Sequence, residues 1–404
     1  RTARSSNKQK ASEMIPVTSS KGRKQGIKSM FRVAVGAHNF RTTVDRSRLI
    51  IKNQFDANES LWNLLKFSGT TIQFIIFKPV TWICIALHYF GYFYLNHVRD
   101  TCAGQSTCWL DGVLDKYSFK FTDIGIFTTL VVFLFVSYNN MCYRILQRQY
   151  FSSQAIGGRI TSIAMHFRGV LRTPSNRWNL QRLILAAQQT FYWNLHRNDA
   201  ESHSYKPGDE GHPGTWDDLC QNSLIPENLL TAAEAACLRR YRGNKCNLLF
   251  AWFERDLRSM LHNPPPIGER GVALLPTASD KMQFERTLLD HVVTIKGQMA
   301  STNEVQHLKV PFSYYHLTYL LLLICLILLA YAFLFINNKQ GNPLSLVIYP
   351  AVVVVLSGLQ EQANKMSDPF GDDESDINTR ALELAALDEA RGLCFSPDPA
   401  ARGA

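Results

Sequence analysis

Apolar residues along this chain are gathered into four blocks, and the charged residues lie between them. The blocks cover residues 71–95, 121–138, 314–335 and 344–359, and within the third, residues 320–329 are almost wholly leucine and isoleucine. A helix needs roughly 20 apolar residues to cross a hydrocarbon core of ~30 Å. The third block meets that length. The first is long enough but carries Lys78 and His88, and the second and fourth are slightly short. Pro350 lies inside the fourth, which a lipid-embedded helix tolerates when neighbours satisfy the freed carbonyl. The pattern predicts four membrane-spanning helices in two pairs. The alternative is a soluble protein in which the second and fourth blocks are buried core helices, and the length of the third block argues against it.

Between the two pairs lies one long polar segment, residues 139–310, too long to be a loop. Leu180, Leu183, Ile184, Ala187, Phe191 and Leu195 repeat at helical spacing, and Leu288, Leu289, Val292, Val293 and Ile295 form a second apolar stripe. Pro226-Glu227 reads as the opening of a third helix that ends near Leu238. Breakers stand between them at Pro207-Gly208, Gly211 to Gly214 and Pro264-Pro265-Pro266. No strand alternation and no internal repeat is present. The expected fold is therefore an all-α integral membrane protein with a helical domain outside the membrane. Its parts are a basic N-terminal segment (1–60), a first membrane helix pair (61–138), a helical cytosolic domain (139–310), a second pair (311–362) and an acidic tail (363–404).

Charge sets the expected orientation. Four spans place both termini on one side. Residues 1–70 hold 14 Lys and Arg against 4 Asp and Glu, whereas the loop at 97–120 has three of each. The positive-inside rule then puts the termini and the long middle segment in the cytosol or its equivalent. The first 44 residues contain ten basic residues and one acid, Glu13. They read as the remnant of an organelle transit peptide or, preferably, as a basic arm held near anionic membrane lipid. Nucleic acid is not expected as a partner. The membrane, plasma or organelle, is not specified.

The nine cysteines are scattered without metal-ligand spacing. Cys102 and Cys108 flank a short flexible stretch in the non-cytosolic loop, a spacing that permits a disulfide in an oxidising compartment. No phosphate-binding Gly-rich loop, His-Glu-x-x-His or nucleophile motif is present, so no enzyme is expected. One polar constellation stands out. Just past the fourth block, Asp368-Pro-Phe-Gly-Asp-Asp-Glu-Ser-Asp376 sets five acids within nine residues across a Pro-Gly turn. Such a turn gathers oxygens around one point, and calcium takes six to eight of them. The plainer reading is a solvated acidic patch at a helix end.

That acidic turn closely resembles the Asn-Pro-Phe-Gly and acidic run of the bestrophin family, also placed just after the last span. Val310-Pro-Phe-Ser-Tyr-Tyr-His is similar to the stretch that opens the family's third span. Leu64-Leu-Lys-Phe-Ser-Gly-Thr is similar to the one before its first, and Asn140-x-x-Tyr143 to the Asn-x-x-Tyr of prokaryotic members. The resemblance covers residues 60–380, loosely in the middle. It implies an all-helical homopentamer around one pore, acting as a chloride or bicarbonate channel that in several members is calcium-activated.

The resemblance also implies sites. Aligned on Asn140-x-x-Tyr143, the family's pore neck falls on Thr129, Phe133 and Ser137; two of the three are small and polar here, so the neck is expected to be wider and wetter than the family norm. The cytosolic aperture, one residue before a Trp-Phe pair, falls on Ala251. The calcium clasp falls on Asp368, Asp373 and Asp376, with a backbone carbonyl near Asn53. Two departures stand out: Lys365 replaces a common Gln, and an ammonium there opposes a bound cation or takes its place beside the acids; Ile145-Leu-Gln replaces an Arg-Trp-Trp. A non-conducting membrane scaffold of the same fold is the second expectation.

Overall fold

The computed structural model describes residues 75–102, 121–202, 214–262, 275, 277–307, 310–334, 343–370 and 376–396. Among the described residues there is no strand. The helices, in chain order, are α1 (Pro79–Cys102), α2 (Phe121–Val170), α3 (Pro174–Ser202), α4 (Trp216–Leu219, continued by a π-helical turn Cys220–Leu224), α5 (Ala232–Arg240), α6 (Lys245–His262), α7 (Ala278–His307), α8 (Phe312–Leu334), α9 (Ser345–Met366) and α10 (Thr379–Phe395).

Helix α2 organises the rest. It has 50 residues, so it is about 75 Å long at 1.5 Å per residue. The apolar block at 121–138 does not end a helix; the helix runs on through the start of the polar segment. Its N-terminal part joins α1, α8 and α9 in one apolar cluster that includes Val131, Phe135, Cys325, Leu326, Tyr349 and Val353. Its C-terminal part joins α3, α6, α7 and α10 in another, built on Ile156, Ile160, Ile163 and Phe167. Tyr138 and Cys142, on the intervening stretch of α2, form a small cluster of their own with Ala363 of α9. Side chains of α2 also fix its register by hydrogen bonds to backbone. Asn139 donates through Nδ2 to the Leu359 carbonyl of α9 at 3.1 Å, and Gln149 through Nε2 to the Thr302 carbonyl of α7 at 3.1 Å.

Three helices are long and apolar enough to cross a membrane, those containing residues 124–170, α8 and α9. Helix α1 has the length, at 24 residues, but its sequence includes His88, His97, Arg99 and Asp100. Its outward face is nonetheless apolar, with Trp82, Ile83, Leu87, Phe90 and Phe93 all exposed. The two polar residues of the first block are accommodated. Lys78 pairs with Glu361 of α9. His88 is buried against Tyr349, ring centroids 4.5 Å apart. Its Nδ1–H donates to the Ala330 carbonyl at 3.0 Å, the tautomer following from a carbonyl's inability to donate.

In the polar segment, Leu180, Leu183, Ile184, Ala187, Phe191 and Leu195 are all buried, as their spacing predicts. Of the second stripe, Leu288, Val292 and Ile295 are buried, while Val293 points outward because it lies one residue, about 100°, from Val292. Pro226-Glu227 does not open a helix. Residues 225–230 form a turn in which the amides of Leu229 and Leu230 both donate to the Leu224 carbonyl, at 2.9 and 3.1 Å. The helix starts at Ala232, after a capping box in which Thr231 accepts from the Glu234 amide and the Glu234 carboxylate accepts from the Thr231 amide.

The Lys78–Glu361 pair ties the start of α1 to α9. Removing one partner leaves the other charge poorly solvated, so Glu361→Ala is expected to destabilise the protein by roughly 1–3 kcal/mol. Lys78→Ala combined with Glu361→Ala is expected to cost less than the sum of the single changes. Thermal unfolding in detergent of the four proteins measures the coupling, and strictly additive losses would show that the pair contributes nothing.

Candidate functional site

The N-terminal four-fifths of α2 carry two opposite stripes. Val131, Phe135, Tyr138, Cys142, Gln149, Ser153, Ile156 and Ile160 are all buried and recur at intervals of three, four and seven residues. Half a turn away, Ile126, Thr129, Phe133, Asn140, Arg144, Arg148 and Phe151 are exposed, with Ser137 partly so. Among the described residues nothing covers that second stripe. The expected neck residues Thr129, Phe133 and Ser137 all lie on it, four residues apart. Phe133 is 65% exposed, and the Thr129 hydroxyl donates to the Gly125 carbonyl at 2.8 Å, which leaves its methyl group and oxygen on the open side.

The open stripe changes character along its length. Ile126, Leu130 and Phe133 are apolar; Ser137 and Asn140 are neutral and polar; Arg144 and Arg148 are basic. After Asp123 there is no acid on α2. Beside the two arginines a cavity of about 710 Å³ opens between α2 and α7, with Gln147, Ser152, Gln298 and Ser301 in its walls. Arg148 donates through Nη2 to the Ser301 hydroxyl at 3.0 Å. The Asn140-x-x-Tyr143 motif points at this region, yet the anchoring asparagine is its neighbour Asn139. The sequence signal for the arginines is their phase: Arg144 and Arg148 follow Phe133 by 11 and 15 residues and Ser137 by 7 and 11.

The two described ends of the acidic stretch meet. The Ile377 amide donates to the Pro369 carbonyl at 2.9 Å, and Phe370 is buried. Asp368 is half-buried at one end of the turn, and Asp376, only 3% exposed, closes the other. Asp376 lines a second cavity, of about 320 Å³, with Tyr143, Gln147, Tyr150 and Phe151 of α2. Of the other expected clasp residues, Asp373 and Asn53 lie outside the described residues, as do Cys108 and the side chain of Cys102. Lys365 is half-buried near the end of α9. Among the described residues no group of three or more His, Cys, Asp or Glu side chains is placed to hold a metal ion. Ala251 is exposed on α6, with Phe253 buried behind it, and it lines a shallow cavity of about 460 Å³ with Glu254, Arg255, Arg258 and His262.

No protein-family model matches the sequence, and no curated protein does. Solved structures do match. A bacterial bestrophin homologue from Klebsiella pneumoniae superposes with a TM-score of 0.57 at 10% identity, covering 79% of this chain and 98% of that one. A point variant of it gives 0.58 at 8% identity, over 78% and 97%. A variant of a membrane protein gives 0.56 at 10% identity, over 79% and all of that chain. The chain has the bestrophin fold. At such identity the shared feature is the backbone arrangement.

Within this bestrophin fold, α10 is clamped to the extramembrane helices by a polar network that no sequence motif announces. Asn378 caps α10 by accepting from the Ala381 amide at 3.1 Å. Arg380 donates to Glu383 at 2.9 Å, to Ser223 at 3.0 Å and to Glu227 at 2.5 Å. Gln189 donates to Glu227 at 2.5 Å, and Arg391 to the Glu227 carbonyl at 2.6 Å. Two carboxylates share one guanidinium here. Burial pushes the Glu383 carboxyl up to about 7, against the Arg380 interactions that pull it down and with the Glu227 charge adding to the rise. A carboxyl raised from its ordinary 4.5 to about 7 takes up a proton on folding between those values. Its contribution to stability is therefore greatest below that window and falls as pH rises through it. Thermal stability is expected to drop between pH 5 and pH 8, and Glu383→Gln is expected to flatten that dependence. An unchanged slope in the variant would place the titration elsewhere.

Proposed function

We propose that this protein is a bestrophin-type anion channel, formed by several copies arranged around the open stripe of α2 and conducting chloride or bicarbonate. One observation carries the reading. A helix long enough to cross a membrane and project beyond it has one continuous face that no other described residue covers, and that face holds Thr129, Ser137, Asn140 and Arg144. Lipid does not solvate hydroxyl, amide and guanidinium groups; such a face belongs to water or to a protein neighbour. Copies related by a closed symmetry place the same stripe around a common axis, and a homopentamer is the assembly that the likeness to bestrophins suggests.

On this arrangement Thr129, Phe133 and Ser137 form successive rings. The Phe133 ring is the apolar constriction, where dewetting opposes ion passage. The small polar rings above and below it shorten the dry section. Helix α1 supplies the fourth span through its apolar outward face. Ala251 would leave a wide aperture further along the path. The acidic turn is proposed to respond to calcium. Its donors are carboxylate and carbonyl oxygens, the hard ligands that calcium prefers. The Ile377–Pro369 bond brings the two ends of the turn together, so the carboxyl groups of Asp368 and Asp376, with Asp373 from the intervening stretch and the backbone near Asn53, would hold the ion. Lys365 on α9 limits this site, because an ammonium nearby lowers its affinity for a cation.

The test is anion efflux from liposomes holding the purified protein, with free calcium stepped from chelated to high micromolar. Efflux that rises with calcium and is lost in Asp373→Ala is the expected result. Phe133→Ala is expected to raise efflux at least severalfold by removing the dry ring. Efflux indifferent to calcium would remove the clasp and leave the pore. No efflux from folded, inserted protein would leave the scaffold of the same fold as the remaining reading.

A further inference from the structure

Arg144 and Arg148 are the first two arginines of α2 after the expected neck, and both face the open stripe. Among the described residues neither is paired with a carboxylate. Arg148 is held by the neutral Ser301 hydroxyl at 3.0 Å. The nearest acid on α7, Glu304, is exposed and makes no ion pair with either arginine. Around them the walls of the 710 Å³ cavity offer amide and hydroxyl groups from Gln147, Ser152, Gln298 and Ser301. Two guanidinium groups one helical turn apart, set among neutral donors and without a counter-carboxylate, are a site for an anion.

The position of the pair on the helix says what that anion sees. Eleven residues on an α-helix amount to very nearly three full turns, so Arg144 faces the same way as Phe133, and Arg148 the same way as Ser137. Along the axis Arg144 lies about 10 Å and Arg148 about 16 Å beyond Ser137, from seven and eleven residues at 1.5 Å each. Whatever surface Phe133 and Ser137 present to the conduction path, the arginines present it too, on the extramembrane side of the constriction.

We propose that Arg144 and Arg148, with Gln147, Gln298 and Ser301, form a binding site for a small inorganic anion, a halide or an oxyanion, that loads the inner mouth of the pore. The inference rests on the channel reading for its role in conduction, but not for the binding itself. Permeation requires that the anion also leave. The exposure of both guanidiniums serves this, since water and salt screen the attraction, and no third charge among the described lining residues deepens the site. The same chemistry would accept the phosphate of an anionic lipid headgroup. The shared face with Phe133 and Ser137, which turns away from the chain's own membrane-spanning helices, favours the soluble anion.

The experiment uses the assembled protein in detergent and in liposomes, as wild type and as the Arg144→Gln/Arg148→Gln variant. In detergent, the unfolding temperature is followed as sulfate or chloride replaces gluconate at constant ionic strength, with short-chain phosphatidylglycerol as the lipid arm. The expected result is stabilisation of the wild type by sulfate and chloride, absent from the variant. Equal stabilisation of both proteins, or none of either, overturns the site. Stabilisation of the wild type by phosphatidylglycerol alone overturns it in favour of a lipid headgroup. In liposomes, the half-saturating chloride concentration for efflux is expected to rise roughly three- to tenfold in the variant. Wild-type efflux with an unaltered half-saturation in the variant removes the site's role while the channel stands. Anion stabilisation through the arginines with no efflux from either protein removes the channel and leaves the site.

Discussion

The structure depends on one constraint, that a single helix must satisfy two cores at once. The buried stripe of α2 enters the apolar cluster of α1, α8 and α9 at one end and that of α3, α6, α7 and α10 at the other. A stripe that keeps phase over so many turns locks the rotation of the helix, because turning it to suit either cluster would pull buried residues of the other into the open. The hydrogen bonds of Asn139 to α9 and Gln149 to α7 pin it near the junction. With rotation fixed on the buried side, the opposite side is fixed as well. The open stripe is thus a consequence of packing and requires no selection of its own for direction.

The polar groups near the membrane follow the same economy. An isolated ammonium or imidazole in hydrocarbon is costly, so each of those in the first apolar block has a partner on another helix: Lys78 on α9, His88 on α8 and against Tyr349. These contacts join α1 to the second helix pair, which is why a helix of modest apolarity stays in place. The arginines of the open stripe have no carboxylate partner among the described residues; Arg148 meets only the neutral Ser301 hydroxyl of α7, and Arg144 and Arg148 keep their charge uncompensated there.

The fold was legible where the hydrophobic effect alone decides. Four apolar blocks, a helical middle and the stripe from Leu180 to Leu195 follow from periodicity, and the likeness to bestrophins rests on the acidic turn and three short motifs. Local chemistry misled in one place: Pro226 suggested a helix start, but the capping box at Thr231 and Glu234 satisfies the first-turn donors better and sets the start six residues later, at Ala232. Two features were not legible. The polar network at Glu227, Arg380 and Glu383 joins residues far apart in sequence, so no local pattern reports it. The length of α2 hides because its apolar block ends at 138 while its buried stripe continues with residues such as Gln149 and Ser153, which read as surface in sequence and are buried in the structure.

The placement of the acidic turn bears on how such a channel would be regulated. Asp376 faces a cavity walled by Gln147 and Phe151, and the same two residues line the cavity of Arg144 and Arg148. The turn and the arginine pair therefore sit on either side of one strip of α2, with two side chains common to both. A cation that drew the carboxylates of the turn together would act on Gln147 and Phe151 directly, without a relay through the membrane core. It would also neutralise carboxylates close to the arginines, which raises the positive potential that an arriving anion meets. On the proposed reading, occupancy of the turn and affinity of the anion site would be coupled, and by linkage the coupling would be mutual: an anion held at the arginines would strengthen the hold of the turn on its cation.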